Sequence, residues 1–559
     1  MTQFRPTYYG KYTNNTEDPA LFETFKPKIE VYRAKLASGI LDKYALPKEV
    51  LVQDPGSDVA RVAEKVLTPN ELAIVDTPAH QLVKQVASGR LSAVQVFEAF
   101  AKTATAAHQA TNCAMELFLD EGLKRAQELD EYYKQTGKTV GPLHGLPISL
   151  KEHYAFKGKV THGATVANIE SVSQEWCSLV KILLDAGAVF YIRTTEPQSL
   201  MHLCSNNNIT GKCCNPHNTR LTPGGSSSGE GAIVAMKGSA IGVGSDIGGS
   251  IRAPAAFCGV FGLRPTQKRL TMQNCTANIV GVGEAVVPVL GPLARHAEDL
   301  DLFMKVQIGA KPWETDPSII PLPWREVSVP APKDIRVAVI YDDGVVKPTP
   351  PILRGLKYAA DKLKAVGAKV VEWESFGVEE LVKAVNCMYN ADGNQGQKAA
   401  FAASGEPLFA LTKNALSFGK ADQPLLAVEE HLLVQTREEY RERYLRKMLE
   451  LDVDYILSPT YFSVAPKLET ARYWGYTSLW NILDFPNVVF PTGLRCEPAL
   501  DAPDNLHKPR NDIEAYEYAL YDSAEDFKNA PISLQLTGKR WFDEELVKAA
   551  GVVHQIVLA

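Results

Sequence analysis

The stretch PGGSSSGEGAIVAMKGSAIGVGSDIGGSIRAPAAFCGVFGLRPT, residues 223–266, decides the reading of this 559-residue chain. So dense a run of glycine and serine would ordinarily mark a flexible linker. Here the glycines alternate with apolar segments instead. Residues 232–236 have helix-like composition, 240–243 are strand-like, and Gly259 leads into a further apolar run. Glycines set inside ordered structure point to tight turns or to close approach of a ligand.

Working outward, the same grammar recurs: a helical stripe, a capping glycine, then a short apolar strand. Residues 179–184 end at Gly187 and run into strand 188–192; residues 356–366 end at Gly367 and run into 370–373. Helical spacing also marks 82–86, 94–101 and 119–132, and further strands are expected at 146–150, 336–340, 455–457, 488–490 and 532–536. An apolar stripe of Tyr440, Tyr444, Met448 and Leu451 runs through the charged stretch 437–447, as on an amphipathic helix. The Pro-rich stretches 311–335 and 498–510 read as long loops. The fold class expected is α/β, one large mixed twisted sheet flanked by helices, over residues 76–559. Residues 1–75 are expected to be a partly helical N-terminal extension.

Bulk composition narrows the function. The chain has 45% hydrophobic and 22% charged residues and a net charge of −6, ordinary for a globular protein. No cluster of lysine and arginine offers a nucleic-acid footprint, so no nucleic-acid partner is expected. No run approaches the ~18 apolar residues of a membrane span, and no secretory leader opens the sequence, so an integral membrane contact is not expected and the location expected is cytoplasmic. Nine scattered cysteines show neither a CxxC pair nor a Cys/His zinc spacing. They are read as free thiols, and no metal or cofactor is expected.

Three chemistries compete for the glycine-serine region. A phosphate loop needs Gly-Lys-Ser/Thr, which is missing. The segment Gly242-Val-Gly-Ser-Asp-Ile-Gly248 resembles a dinucleotide turn, but its spacing is one residue too long and Asp246 would oppose a pyrophosphate. Serine nucleophilic catalysis is the third. Within it, Gly225-Ser-Ser-Ser-Gly229 formally fits a nucleophile elbow centred on Ser227. Residues 218–223 before it are polar and end in proline, a poor buried strand. Ser250 fits better: it follows a strand and Asp246-Ile-Gly-Gly249 and precedes an apolar, helix-like run, where successive N–H groups can converge on an oxyanion.

These residues, with Gly145-Leu-Pro-Ile-Ser-Leu-Lys-Glu152, closely resemble the amidase signature family of serine hydrolases. Residues 142–151, 321–325 and 350–355 are similar to its fungal acetamidase branch; residues 195–199 and 225–231 are also similar to the fatty acid amide hydrolases. The resemblance spans roughly 75–555. It implies Lys151 as catalytic base, Ser250 as nucleophile and an intermediate serine 24 residues before it, which selects Ser226 (250 − 226 = 24) from three adjacent serines. The offset from the lysine, 226 − 151 = 75, agrees with the fatty acid amide hydrolase type. It further implies a cis peptide before Ser226, and an oxyanion hole from the N–H groups of Ile247, Gly248, Gly249 and Ser250. An acyl wall is implied at Leu200 and Met201, with Cys204 and Asn206 nearby. Ser227, Asp246 and Arg252 are implied as residues holding the turn. Ser228 and Ser245 depart from the family's usual glycine and threonine. The implied substrate is a small amide, with carbamates such as urethane and simple esters as further carbonyls. A fatty acid amide substrate, a glutamine-dependent amidotransferase subunit and a non-catalytic binding protein are the alternatives. A homodimer or larger homo-oligomer is implied.

Overall fold

The computed structural model describes residues 4–51, 54–276 and 285–559. Its strands are β1 Ala114–Leu117, β2 Pro147–Lys151, β3 Val189–Thr194, β4 Asn206–Asn207, β5 Gly211–Lys212, β6 Ile241–Asp246 and β7 Phe261–Arg264. The remainder are β8 Val289–Ala294, β9 Arg336–Val339, β10 Lys369–Glu372, β11 Tyr455–Pro459, β12 Asn487–Arg495 and β13 Pro531–Thr537. Eleven of them form one mixed sheet in the order β1-β3-β2-β6-β8-β7-β12-β13-β11-β9-β10, and β4 and β5 form a separate hairpin. Helices flank the sheet, so the α/β architecture with one large mixed sheet is the one observed.

The glycine-capped units fold as their pattern dictates. Helix Ser178–Asp185 feeds β3 and helix Pro350–Ala365 feeds β10, with Gly187 and Gly367 at φ +96° and +84°, where a side chain would be strained. Helix Ala427–Glu450 buries Tyr440, Tyr444 and Met448, the stripe within the charged run. The sequence pattern missed β8 because its VLGPLA carries Gly291 and Pro292, and proline is rare in a central strand. Pro292 stands opposite Val243 of β6, and the register of β8 with β7 is confined to Leu293 and Ala294, so Pro292 has no ladder partner in β7. The four-residue strands β1 and β7 are too short to show a period.

Within the first 75 residues, helix Pro19–Ser38 carries Leu36, which joins Tyr44, Val62 and Val75 in the main core. Ile29 packs instead in a small cluster with Val166, Ile169 and Ile209. Tyr9 bridges to Phe418. All nine cysteines are free. Among the described residues no helix is long and apolar enough to cross a membrane.

The sheet positions the chemistry through two neighbouring parallel strands. β2 and β6 run in register, Ile148 beside Ile241 and Leu150 beside Val243. Their carboxyl ends therefore deliver Lys151 and Asp246 to the same edge, and crevices beyond the carboxyl ends of strands are where α/β sheets bind ligands.

Candidate active site

Lys151 closes β2 and is fully buried. Its Nζ lies 2.6 Å from Ser226 Oγ and 3.0 Å from Ser245 Oγ. Burial pushes its amine down from 10.5 to about 8, against the opposing pull of Glu196, Asp246 and Glu230. An amine so placed is uncharged about a tenth of the time at pH 7, and increasingly so above it, and in that form can take a proton from a hydroxyl. The apolar run before the lysine, in a strand buried along its length, is what removes water from it.

Ser226 stands two residues before helix Ser228–Ala235, after a cis peptide from Gly225. A Cβ on Gly225 would meet Cys204 O at 2.2 Å and His202 O at 2.6 Å, so only glycine lets the 202–204 backbone pack there. That packing brings the segment carrying Met201 and Cys204 beside the Ser226 turn. Met201 is buried and Leu200 half-buried; Ser199 and Leu200 hold φ of +67° and +63°, an unusual pair for residues with side chains. Asn206 faces elsewhere, donating from Nδ2 to Glu469 at 2.6 Å.

Ser250 sits in the turn between β6 and helix Arg252–Cys258 and is 6% exposed. Its Oγ has no hydrogen-bond partner among the described residues, and the Ser226–Ser250 link is open in this structure. Such links often tighten only with substrate bound. The turn itself is tied down on every side. Ser227 N–H donates to Ser250 O at 3.1 Å, and Ser245 N–H donates to Ser227 Oγ at 3.2 Å. Tyr389 Oη donates to Ile247 O at 2.8 Å and Thr477 Oγ1 to Gly248 O at 2.6 Å. Because N–H and C=O of one peptide point opposite ways, the Tyr389 contact aims the Gly248 N–H away from Tyr389.

The same logic corrects one implied oxyanion donor. Gly249 N–H donates to Asp246 Oδ1 at 2.9 Å, so it is already committed. The N–H groups of Ile247, Gly248 and Ser250 face no protein acceptor among the described residues and are the donors left for an oxyanion. Gly249 serves by its shape instead: at φ +124°, with Thr477 Oγ1 2.5 Å from where a Cβ would stand, the position admits only glycine.

Asp246 and Arg252 hold this turn. Asp246 accepts from the N–H groups of Gly249 and Ile251 and from Arg252 Nε and Nη2, both at 3.0 Å. The Arg252 guanidinium keeps the Asp246 carboxyl well below the usual range, overcoming the opposing effect of burial. Arg252 also donates to Thr477 O, Asn481 Oδ1 and Asn487 Oδ1. Both are fully buried, so Arg252→Ala is expected to cost about 3–5 kcal/mol by stranding the Asp246 charge. The check is the unfolding midpoint of the variant in urea; an unchanged midpoint would show the pair is dispensable.

Several residues around the site carried no local sequence signal, and Ser245 was marked only by standing where the family usually has threonine. Ser245 supplies Lys151's second contact, Tyr389 and Thr477 fix the turn, and the Trp474 ring lies 3.0 Å from where a Gly248 Cβ would be. Phe418 packs edge-on to Trp474 at 4.9 Å, extending an aromatic wall. Buried Glu230 accepts from Ser149 Oγ at 2.5 Å and Thr194 Oγ1 at 2.6 Å, and burial pushes its carboxyl up to about 7. Among the described residues no group of three or more His, Cys, Asp or Glu could hold a metal ion.

The chain is similar to known proteins over nearly its whole length. The amidase family model matches residues 95–547. An amidase-named protein of Schizosaccharomyces pombe is 42% identical over 508 residues, 90% of this chain and 93% of its own length. The acetamidase of Aspergillus oryzae is 36% identical, over 94% of this chain and 97% of that one. Among solved structures, a fatty acid amide hydrolase superposes with a TM-score of 0.94 at 46% identity, covering 97% of this chain and 96% of that one.

Proposed function

From the amidase family, to which this chain belongs, we propose that it hydrolyses the C–N bond of small carboxylic amides through a Ser250–Ser226–Lys151 relay and an acyl-enzyme. The observation that carries the relay is the 2.6 Å contact of a fully buried Lys151 with Ser226 Oγ. Uncharged Lys151 takes the Ser226 proton as Ser226 takes that of Ser250. Ser250 Oγ then attacks the carbonyl carbon. The resulting oxyanion is met by the N–H groups of Ile247, Gly248 and Ser250, each such donor being worth about 2.7–4 kcal/mol. The proton returns through Ser226 to the leaving nitrogen, which must depart as a neutral amine or ammonia. Water repeats the sequence on the ester, releasing the acid.

Small amides are favoured because two relatives similar over nearly the whole chain, from Aspergillus oryzae and Emericella nidulans, are acetamidases. The fatty acid amide hydrolase superposition supports a second reading, an N-acylethanolamine bound along the apolar wall of Met201, Trp474 and Phe418. Carbamates such as ethyl carbamate, and simple esters, offer Ser250 a comparable carbonyl. Nine free cysteines support a reducing, cytoplasmic location. A panel of acetamide, benzamide, ethyl carbamate and an N-acylethanolamine tests the reading. The purified single chain is expected to hydrolyse acetamide with the highest kcat/KM. A preference for the N-acylethanolamine by tenfold or more would transfer the assignment to the fatty amide. No turnover of any of the four, and no labelling of Ser250 by a fluorophosphonate, would leave a binding protein or a subunit that needs partners.

A further inference from the structure

Glu196 is fully buried, yet among the described residues neither of its carboxyl oxygens has a hydrogen-bond partner. Buried polar groups are nearly always partnered, so this one demands an account. The sheet sets its place. β2 runs parallel to β3 with Lys151 opposite Thr194, and Glu152 N–H donates to Thr194 O at 3.1 Å. Two residues past Thr194, the Glu196 carboxyl comes against that of Glu152 and the backbone of His153, on the flank of Lys151.

The Tyr32 and Tyr154 hydroxyls also face this spot; burial raises both, and Tyr154 Oη donates to Gly244 O at 2.6 Å. Glu152 accepts from the N–H groups of His162 at 3.0 Å and Gly163 at 2.9 Å, and from Arg193 Nη2 at 3.1 Å. The charges of His162 and Arg193, with those backbone donors, hold Glu152 low against the effect of burial. His162 Nδ1 lies 3.4 Å from Glu152 Oε2 and 3.1 Å from the Ala164 N–H, and burial pushes both His162 and His153 down. Asp246 is bound by Arg252, and Glu230 is occupied by the Ser149 and Thr194 hydroxyls. What remains is a second carboxyl, Glu196, pressed against an ionised one beside an amine.

We propose that Glu196 is a positioning residue for Lys151: it keeps a proton and shares it in a hydrogen bond to the Glu152 carboxylate, so the pair presents one negative charge, already bound by Arg193, and Glu196 adds no further carboxylate charge beside Lys151. The physical ground is that two adjacent buried carboxylates do not both ionise. Burial first, then the Glu152 charge, drives the Glu196 carboxyl well above the ordinary carboxylate range. Were Glu196 ionised instead, its charge would favour the ammonium form of Lys151 and remove the base. The inference rests on the reading of Lys151 as base given above.

Glu196→Gln in the full-length enzyme tests it, because an amide copies the shape and the donor of a protonated acid. The ratio of kcat/KM for acetamide at about pH 6 to that at about pH 9 is expected to change by less than about twofold. A rise of about tenfold in that ratio would mean that Lys151 has lost an ionised counter-ion, and would overturn the proposal. Thermal stability supplies a readout independent of turnover. A carboxyl raised in the folded state contributes stability that is full below its unfolded value of 4.5 and is lost as pH rises through the folded value. Glu196→Gln should therefore match wild type at about pH 4 and become progressively more stable than wild type as pH rises. Equal Tm values at both about pH 4 and about pH 8, or failure of the variant to fold, would also overturn it. Lys151→Ala separates the two ideas: full turnover in that variant would remove the base assignment, while the Tm comparison would still judge the Glu196 proton.

Discussion

Ser250→Ala is expected to lower turnover of acetamide by about 10⁶-fold, the scale on which loss of a serine nucleophile acts. The expectation follows from how little else in the turn could replace Ser250. Ser227 uses both its N–H and its hydroxyl to join the Ser245 and Ser250 strands of the turn. Ser228 Oγ is turned to Cys204 O. Ser226 Oγ is paired with Lys151 Nζ at 2.6 Å. The substitution removes an unpartnered hydroxyl, so no buried group is stranded and the unfolding midpoint should stay close to wild type. Substrate affinity should persist as well, since the N–H groups of Ile247, Gly248 and Ser250 belong to the backbone. Measuring kcat on acetamide beside the Tm decides the matter. A folded variant with near-normal turnover would exclude Ser250 as nucleophile.

The sequence made the centre of this site legible and its surroundings much less so. A glycine turn after one strand and a lysine ending another are local patterns, and each survives in a single stretch of chain. The choice of Ser226 over Ser227 came only with the resemblance to the amidase signature family, whose two serines stand 24 residues apart, as Ser226 and Ser250 do. What fixes the turn comes from far away in the chain. Tyr389 and Thr477 lie 142 and 229 residues from the carbonyls they hold. Nothing in their own neighbourhoods distinguishes them from other buried hydroxyls. Glu196 was invisible for a different reason. An acidic residue in a short polar stretch reads as solvated, and only the pairing of β2 with β3 shows that it is buried against Glu152. The committed Gly249 N–H follows the same rule, because an N–H within a glycine turn looks free until its acceptor is located. The fold was legible wherever a capping glycine separated helix from strand. It was lost at β8, where Pro292 disguises a central strand whose register with β7 is confined to Leu293 and Ala294.

Lys151 carries the second large effect, and its sign can be worked out in both activity and stability. With its amine pushed down to about 8, the uncharged fraction, and with it kcat/KM, should rise roughly tenfold per pH unit on the acid side and level off above about pH 8. Lys151→Ala is expected to lower kcat by about 10²–10⁴-fold, the range of a positioned general base, and to flatten that limb. Stability should move the other way. The amine is lowered in the folded state, so at pH below about 8 the fold must hold a buried ammonium that the unfolded chain holds in water. That difference, from 10.5 to about 8, amounts to about 3 kcal/mol, relieved as pH rises from about 8 to 10.5. Lys151→Met, which fills the same space without a charge, should therefore be inactive and yet at least as stable as wild type at neutral pH. Its loss of the Ser226 and Ser245 contacts offsets part of the gain. Inactivity with raised or unchanged Tm is the combination that a base held against its own solvation predicts. A structural lysine would give inactivity with a lowered Tm, and a bystander would give neither.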